Sequence, residues 1–403
     1  VAKLNDYVEI VGQSVIDDLR LLAERLKGKV VQNINSTSVG GGVAEILNRM
    51  IPLMREIGLD AKWDLIKGGE QFFAVTKKFH NALHGKEEDI TQRDFDVFLE
   101  TGKKNLEEMD LYGDIIFVHD PQPIFLITKK KRKKWAWRCH IDVSHPDRKV
   151  WHFLKKFINK YDAAVFSSPL FSQKLPVSQF LISPSIDPLS DKNRELPQET
   201  IDAVLKKYSI PKDKPIVTQI SRFDRLKDPI GVIEAYKLVK KYIDCRLILA
   251  GGGATDDPEG QLVLDEVKER AAGDEDIHIL LLPQDDIEIN ALQRASDVIV
   301  QKSLKEGFGL TVSEALWKAK PVVASSVGGI PLQIKHKFSG LLCRSIEGAA
   351  FEIKQLLNSP GYAKKLGQNG REHVKNNFLI TRHMKEYMLL FLSLYSGEDV
   401  VYL

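Results

Sequence analysis

Two carboxylates stand eight residues apart in the run Lys305-Glu306-Gly307-Phe308-Gly309-Leu310-Thr311-Val312-Ser313-Glu314-Ala315. The spacing of Leu310, Val312, Ala315 and Leu316 predicts a helix over 308–318. Glu306 would precede it, and Glu314 would lie about two turns inside it. Glycines would leave the helix start bare, so that its N–H groups can meet an anion. An acid on an apolar helix needs a partner, and a ribose diol suits Glu314, because one carboxylate can accept from both hydroxyls. The plainer alternative is a capping acid at Glu306 and a core-edge salt bridge at Glu314.

A second run, Ser221-Arg222-Phe223-Asp224-Arg225-Leu226-Lys227-Asp228-Pro229, follows a predicted strand and leads into a helix. Arg222 offers a forked donor and Lys227 a mobile point charge, a pair suited to a diphosphate. A solvated charged loop is the alternative. Gly40, Gly41 and Gly42 also lie between a strand and a helix, where backbone can approach a ligand closely. Neither the dinucleotide fingerprint nor a Walker loop is present, and a tight turn would explain these glycines equally well. Gly251 to Gly253 precede Asp256 and Asp257, whose charge would repel a phosphate, so a plain turn is expected.

His119-Asp120-Pro121-Gln122-Pro123 and Trp135-Ala136-Trp137-Arg138-Cys139-His140-Ile141-Asp142 both follow or close apolar runs. Polar side chains beside tryptophans suit a sugar. His119, His140 and His145 lack the spacing of a metal motif, and no metal site is expected. The six basic residues Lys129 to Lys134 read first as a solvated connection, or else as a site for an anionic partner.

These residues need a scaffold that brings strand ends together. Short apolar runs predict strands over 30–34, 60–66, 114–119 and 163–167 in the first half. In the second half they predict strands over 215–220, 246–250, 277–282, 298–301 and 321–324. Between them, helical periods run over 43–57, 229–242, 261–272 and 287–295. Pro184, Pro188 and Pro197 punctuate 181–197, which reads as an extended hinge. Strand–helix alternation predicts an α/β protein of two parallel sheets covered by helices, with ligands beyond the carboxyl ends of the strands.

The 403 residues suit two to three domains. With 58 Lys and Arg against 55 Asp and Glu, nucleic acid is not the expected partner. No apolar run approaches the ~20 residues of a membrane span, and the first residues show no secretion signal. Three scattered cysteines, Cys139, Cys245 and Cys343, form no disulfide framework and fit a reducing, cytoplasmic compartment.

The Glu306 to Glu314 run resembles the EGFGLxxxE element of retaining nucleotide-sugar glycosyltransferases, a large group that includes sucrose-phosphate synthases and bacterial glycogen synthases, and within it the chain resembles family 4. The Ser221 to Asp228 run resembles their Arg-and-Lys diphosphate clamp, and the glycines after the first strand and after Val327 match in place. Agreement spans about 29–375. Within the family, residues 119–123, 137–142 and 183–188 resemble the trehalose-forming members. The sequence departs at Ala319, where the family usually carries glycine.

The resemblance implies a GT-B fold: two Rossmann-like domains facing across a cleft, with the last helix crossing back to the first domain. The domains would be 1–182 with about 380–403, and 190–379, joined by a hinge at about 183–189. It implies an NDP-glucose donor (UDP-, ADP- or GDP-glucose) and free glucose as acceptor. Glu314 would hold the ribose, while Arg222, Lys227 and the helix start at Gly307, Phe308, Gly309, Leu310 and Thr311 would meet the diphosphate. Backbone near Leu282 would meet the base. Glu306 would hold donor sugar hydroxyls, His140 would sit beside that sugar, and Gly41 and Gly42 would approach the phosphates. Asp120, Gln122, Arg138 and Asp142 would take the acceptor. No tightly bound cofactor is implied, although Mg²⁺ could stimulate. A homodimer is compatible with the sequence but not required by it.

Overall fold

The computed structural model describes residues 2–39, 41–252, 258–283 and 285–396, without the side chains of 258 and 259. Gly40, Gly253, Asp256 and Asp257 therefore lie outside the described residues. The chain forms two units, Val1–Ser185 with Ile380–Leu403, and Ile186–Leu379.

In the first unit, short helices α1 (Val8–Val11) and α2 (Gln13–Arg25) precede β1 (Val30–Asn35), α3 (Gly41–Glu56) and β2 (Asp60–Leu65). Then come α4 (Glu70–Leu83), α5 (Gln92–Glu108), β3 (Ile115–His119), β4 (Lys134–Cys139), α6 (Arg148–Ile158), β5 (Ala163–Phe166) and β6 (Ser178–Leu181). The strands form one parallel sheet in the order β2-β1-β3-β4-β5-β6. α3 buries Ala44, Ile46, Leu47, Met50, Ile51 and Met54 at helical spacing. Between α4, α5 and α6, the rings of Phe79, Phe95, Phe98 and Phe153 meet at centroid distances of 4.6 to 6.1 Å.

The second unit holds α7 (Gln198–Lys207), β7 (Ile216–Ile220), α8 (Pro229–Lys240), β8 (Arg246–Gly252), α9 (Pro258–Ala271), β9 (Ile277–Leu282) and α10 (Asp286–Ala295). It continues with β10 (Val298–Gln301), α11 (Leu310–Trp317), β11 (Val322–Ser325), α12 (Ile330–Gln333), β12 (Leu341–Cys343), α13 (Ile346–Asn358) and α14 (Pro360–Asn377). Its parallel sheet has the order β12-β11-β10-β7-β8-β9. Counted within the unit, this is the doubly wound order of a dinucleotide-binding fold.

The last helix, α15 (Ile380–Ser396), returns to the first unit and packs on α2 and α3. Tyr387 and Phe391 of α15 meet Phe117 of β3 edge-on at 4.9 and 5.5 Å. Among the described residues, no helix is long and apolar enough to cross a membrane.

Two expectations need correction. The helix expected from Phe308 begins at Leu310, because Gly309 adopts φ 81° and serves as its N-cap. Glu306 is therefore not a capping acid. Residues 187–194 form no extended hinge; they fold into a compact turn in which Asn193 Nδ2 donates to Asp187 O at 3.0 Å and Arg194 N to Ser190 O at 2.8 Å. The basic run is the connection expected, leading into β4 with Lys131 and Arg132 exposed, and its other members are tied to the fold. Lys129 donates to Leu106 O, Lys130 pairs with Asp162, Lys133 donates to Leu111 O, and Lys134 opens β4.

Candidate functional site

In each unit the strand order reverses at one point, and the loops leaving the strands there form the natural ligand crevice. In the second unit the reversal lies between β7 and β10. The Arg222–Lys227 loop follows β7, and the Glu306 loop follows β10. Gln219, buried near the end of β7, ties them together. Its Nε2 donates to Lys227 O at 3.0 Å, and its Oε1 accepts from Lys302 N at 3.3 Å. Leu304 N donates to Leu226 O at 2.8 Å.

These ties bring Lys227 Nζ within 2.5 Å of Glu306 Oε2, which also accepts from Ser303 Oγ at 3.0 Å. Lys302 pairs with Asp228, whose carboxylate also caps α8 by accepting from Gly231 N at 3.0 Å. The glycines after β11 let the next loop close on this one. A Cβ on Gly328, at φ 55°, would lie 1.7 Å from Glu306 O, and Gly329 N donates to Gly307 O at 3.0 Å. Phe308 is buried against Phe378 at 5.4 Å, and its carbonyl accepts from Gln333. Arg222 is exposed, 3.6 Å from Asp224. Leu310 and Thr311 open α11, and Leu282 ends β9 beside Gly252.

Glu314 is buried on α11, and Lys192 Nζ lies 4.0 Å from its Oε1. Lys318, one turn on, donates to Glu314 O at 3.1 Å and Asn193 Oδ1 at 3.0 Å. Burial pushes the Lys318 ammonium down to about 7.

In the first unit the strand order reverses between β1 and β3. His119 ends β3, with Nε2 3.1 Å from Asn33 Oδ1 and Nδ1 3.3 Å from His140 Nε2. Asp120 turns the chain at φ 63° and accepts from His140 N at 2.8 Å, while Trp137 Nε1 donates to Asp120 O at 3.0 Å. Burial raises the Asp120 carboxyl to about 6, although the His140 N–H and Arg138 favour its anion. Burial, with Arg138 nearby, lowers His119 to about 3 and holds His140 well below its ordinary value. Arg138 is wholly buried, bonded to Ser167 Oγ at 3.3 Å and 5.8 Å from the Tyr387 ring. Asp142 accepts from Ser144 N and Oγ within its own turn. Gln122 follows β3 with its Oε1 buried. Gly41 and Gly42 are exposed at the start of α3, with open space at the Cβ position of Gly41. Among the described residues, no group of three His, Cys, Asp or Glu side chains is placed to hold a metal.

Two family models match the chain, "Trehalose synthase, N-terminal domain" over residues 33–173 and "Glycosyl transferases group 1" over 200–373. The chain is 44% identical to a trehalose synthase of Thermococcus litoralis over 395 residues, covering 96% of each chain. The chain belongs to the trehalose synthase family. A trehalose synthase of Rubrobacter xylanophilus is 42% identical, with 97% of each chain covered. An α,α-trehalose-phosphate synthase of Burkholderia xenovorans superposes with a TM-score of 0.74 over 90% of this chain and 100% of that one, at 11% identity. That likeness shows the fold, which is GT-B, with two Rossmann-like halves. Membership in the trehalose synthase family makes the chain a glycosyltransferase of trehalose metabolism.

Sequence reasoning singled out Lys227, Glu306 and Glu314 but passed over Gln219, Ser303 and Lys192. Gln219 lies inside an apolar run, and only its strand parity could have singled it out. Lys192 lay in the segment read as extended.

Proposed function

We propose that the protein is a retaining glucosyltransferase that moves glucose from an NDP-glucose to the anomeric hydroxyl of free glucose, giving α,α-trehalose and NDP. The observation that carries this is the Lys227–Glu306 pair at the switch point of the second unit. A diphosphate cation and a sugar-hydroxyl acceptor stand together beside the start of α11. Bond cleavage develops charge on the departing phosphate oxygen, and preorganised cations stabilise that charge most effectively. Lys227 and the exposed Arg222 supply the cations, and the N–H groups at the start of α11 add to them.

In this reading Glu306 holds the donor sugar and Glu314 the ribose, with Leu282 backbone beside the base. On the first unit, His140 is assigned to the donor sugar. Asp120, Gln122, Arg138 and Asp142 are assigned to the acceptor, and Gly41 and Gly42 to the phosphates. The acceptor attacks on the face the leaving group departs from, and the leaving phosphate takes its proton, so configuration is kept. The reaction can run in reverse. No resident cofactor is needed, and Mg²⁺ would act only by assisting the diphosphate. A cytoplasmic enzyme without nucleic-acid or membrane partners, for which a homodimer is permitted but not required, completes the proposal.

The test is release of nucleoside diphosphate from UDP-, ADP- and GDP-glucose with glucose, glucose 6-phosphate, fructose 6-phosphate or no acceptor, with the product sugar identified. Glucose-dependent release with a non-reducing disaccharide is expected. Release only with a phosphorylated acceptor would overturn the choice of acceptor. Donor binding without turnover would point to a nucleotide-sugar sensor.

A further inference from the structure

The turn at 187–194 is built more firmly than a connection between two units requires. Asn290 of α10 donates from Nδ2 to Asp191 O and Arg194 O, both at 2.8 Å. Arg294 of the same helix donates to Arg194 O at 3.0 Å and to Asn193 O at 3.3 Å. From the other side, Lys318, just beyond α11, donates to Asn193 Oδ1 at 3.0 Å. Within the turn, Leu189 N donates to Asp187 Oδ1 at 3.0 Å and Asn193 N to Ser190 O at 2.8 Å. The turn is therefore a bridge between α10 and α11.

Lys192 stands on this bridge, with only 13% of its side chain exposed. Its Nζ lies 3.6 Å from Asp286 Oδ1 in the first turn of α10 and 4.0 Å from Glu314 Oε1 on α11. Holding an ammonium this far from water between two carboxylates requires a fixed geometry. The bridge supplies that geometry.

A ribose diol has two needs. Each hydroxyl hydrogen wants an acceptor, and each oxygen keeps lone pairs that want a donor. Glu314 is acceptor-only and can meet the first need alone. Lys192 is donor-only and stands beside it. We infer that Lys192 is the second half of a ribose reader, donating to a nucleotide hydroxyl oxygen whose hydrogen goes to Glu314. Asp286 holds the ammonium from its other side. The inference rests on the donor-site reading above. It adds that the protein discriminates ribonucleotides from deoxyribonucleotides through a residue outside the glycine-rich and basic motifs.

The test uses the full chain and calorimetric titration with UDP, ADP and GDP and with their 2′-deoxy and 3′-deoxy counterparts. For the best ribonucleotide, K192M is expected to weaken binding about tenfold, the worth of one charge-assisted hydrogen bond. Its weakening of at least one deoxy counterpart should stay under about twofold, so that the ribo-to-deoxy ratio collapses. K192R should restore most of that ratio, and the titrations are run well below the unfolding temperature of each protein, because K192M leaves Asp286 and Glu314 without this cation. Equal weakening of ribo and deoxy ligands, or an unchanged ratio, would overturn the inference and leave the donor site standing. Absence of binding by the wild-type chain would overturn the donor-site reading itself.

Discussion

Lys227 Nζ and Glu306 Oε2 lie 2.5 Å apart although 79 residues separate them in the chain. The cation proposed for the diphosphate and the carboxylate proposed for the sugar are paired with one another. A bound NDP-glucose would draw each towards its own ligand group.

That arrangement predicts the behaviour of Glu306→Gln. The amide keeps the shape and can still bond Ser303, but it removes the charge facing Lys227. Turnover in glucose-dependent nucleoside diphosphate release is expected to fall at least about a hundredfold, as when one preorganised polar group is lost. Lys227→Met should fall comparably, and the double variant should fall less than the product of the two. Steady-state kinetics with thermal melts provide the measurement. Turnover within about threefold of wild type in a folded Glu306→Gln protein would make the pair a purely structural salt bridge.

Ala319 predicts a gain. It sits just past α11 at φ 56°, where a residue with a Cβ is strained. Ala319 N bonds Leu316 O at 2.9 Å and Lys320 N bonds Ala315 O at 3.1 Å, the two bonds of a helix end that favours glycine. Ala319→Gly is expected to stabilise the second unit by about 1 kcal/mol. Its melting temperature should rise by about 2–4 °C, read by calorimetry. An unchanged or lower transition would count against strain at this position.

The first unit predicts an acid limit. His119 and His383 are buried and His140 is half-buried, and burial, with Arg138 beside His119 and His140 and with Arg382 and Arg138 beside His383, holds all three below their ordinary values. The unfolded chain then binds more protons than the folded one below pH 6.5, so the stability these groups allow is complete above that pH and is lost as the pH falls. Asp120, raised to about 6, acts in the opposite sense between its ordinary value and 6, and offsets one of the three. Denaturant midpoints should therefore drop steadily from pH 7 to pH 5. His383→Asn should flatten that slope by up to about one proton's worth. An equally steep slope in the variant would remove His383 from the account.

The α/β architecture was legible because α3, α8 and α10 carry their apolar residues at helical spacing, and β7, β8 and β10 are short apolar runs bounded by turns. The carboxylates at 306 and 314 and the basic loop at 222–227 were legible for a related reason, since each sits where a strand ends. Contacts between distant segments were not legible. Glu306 meets Lys227 because buried Gln219 and the Leu304–Leu226 backbone bond tie their loops, and a polar residue in an apolar strand gives no sign of what it will bond. The prolines near 184–197 suggested an extended chain, yet Ser190 and Asn193 fold it back through bonds to Asp187. The helices at 70–83 and 92–108 went unpredicted because their faces are fixed by each other's phenylalanines. β6 went unpredicted because an exposed edge strand carries little apolar signal.

The first unit is completed by α15, which arrives 194 residues after that unit's main segment ends, since unit two runs from Ile186 to Leu379. Tyr387 and Phe391 cover Phe117 of β3 and α15 packs on α2, so the sheet that leaves the ribosome first waits longest for its cover. During synthesis the second unit can close as soon as its own strands are out. The first must leave the α15-facing side of Phe117 uncovered until that helix has been made, so the order of synthesis and the order of completion are opposite.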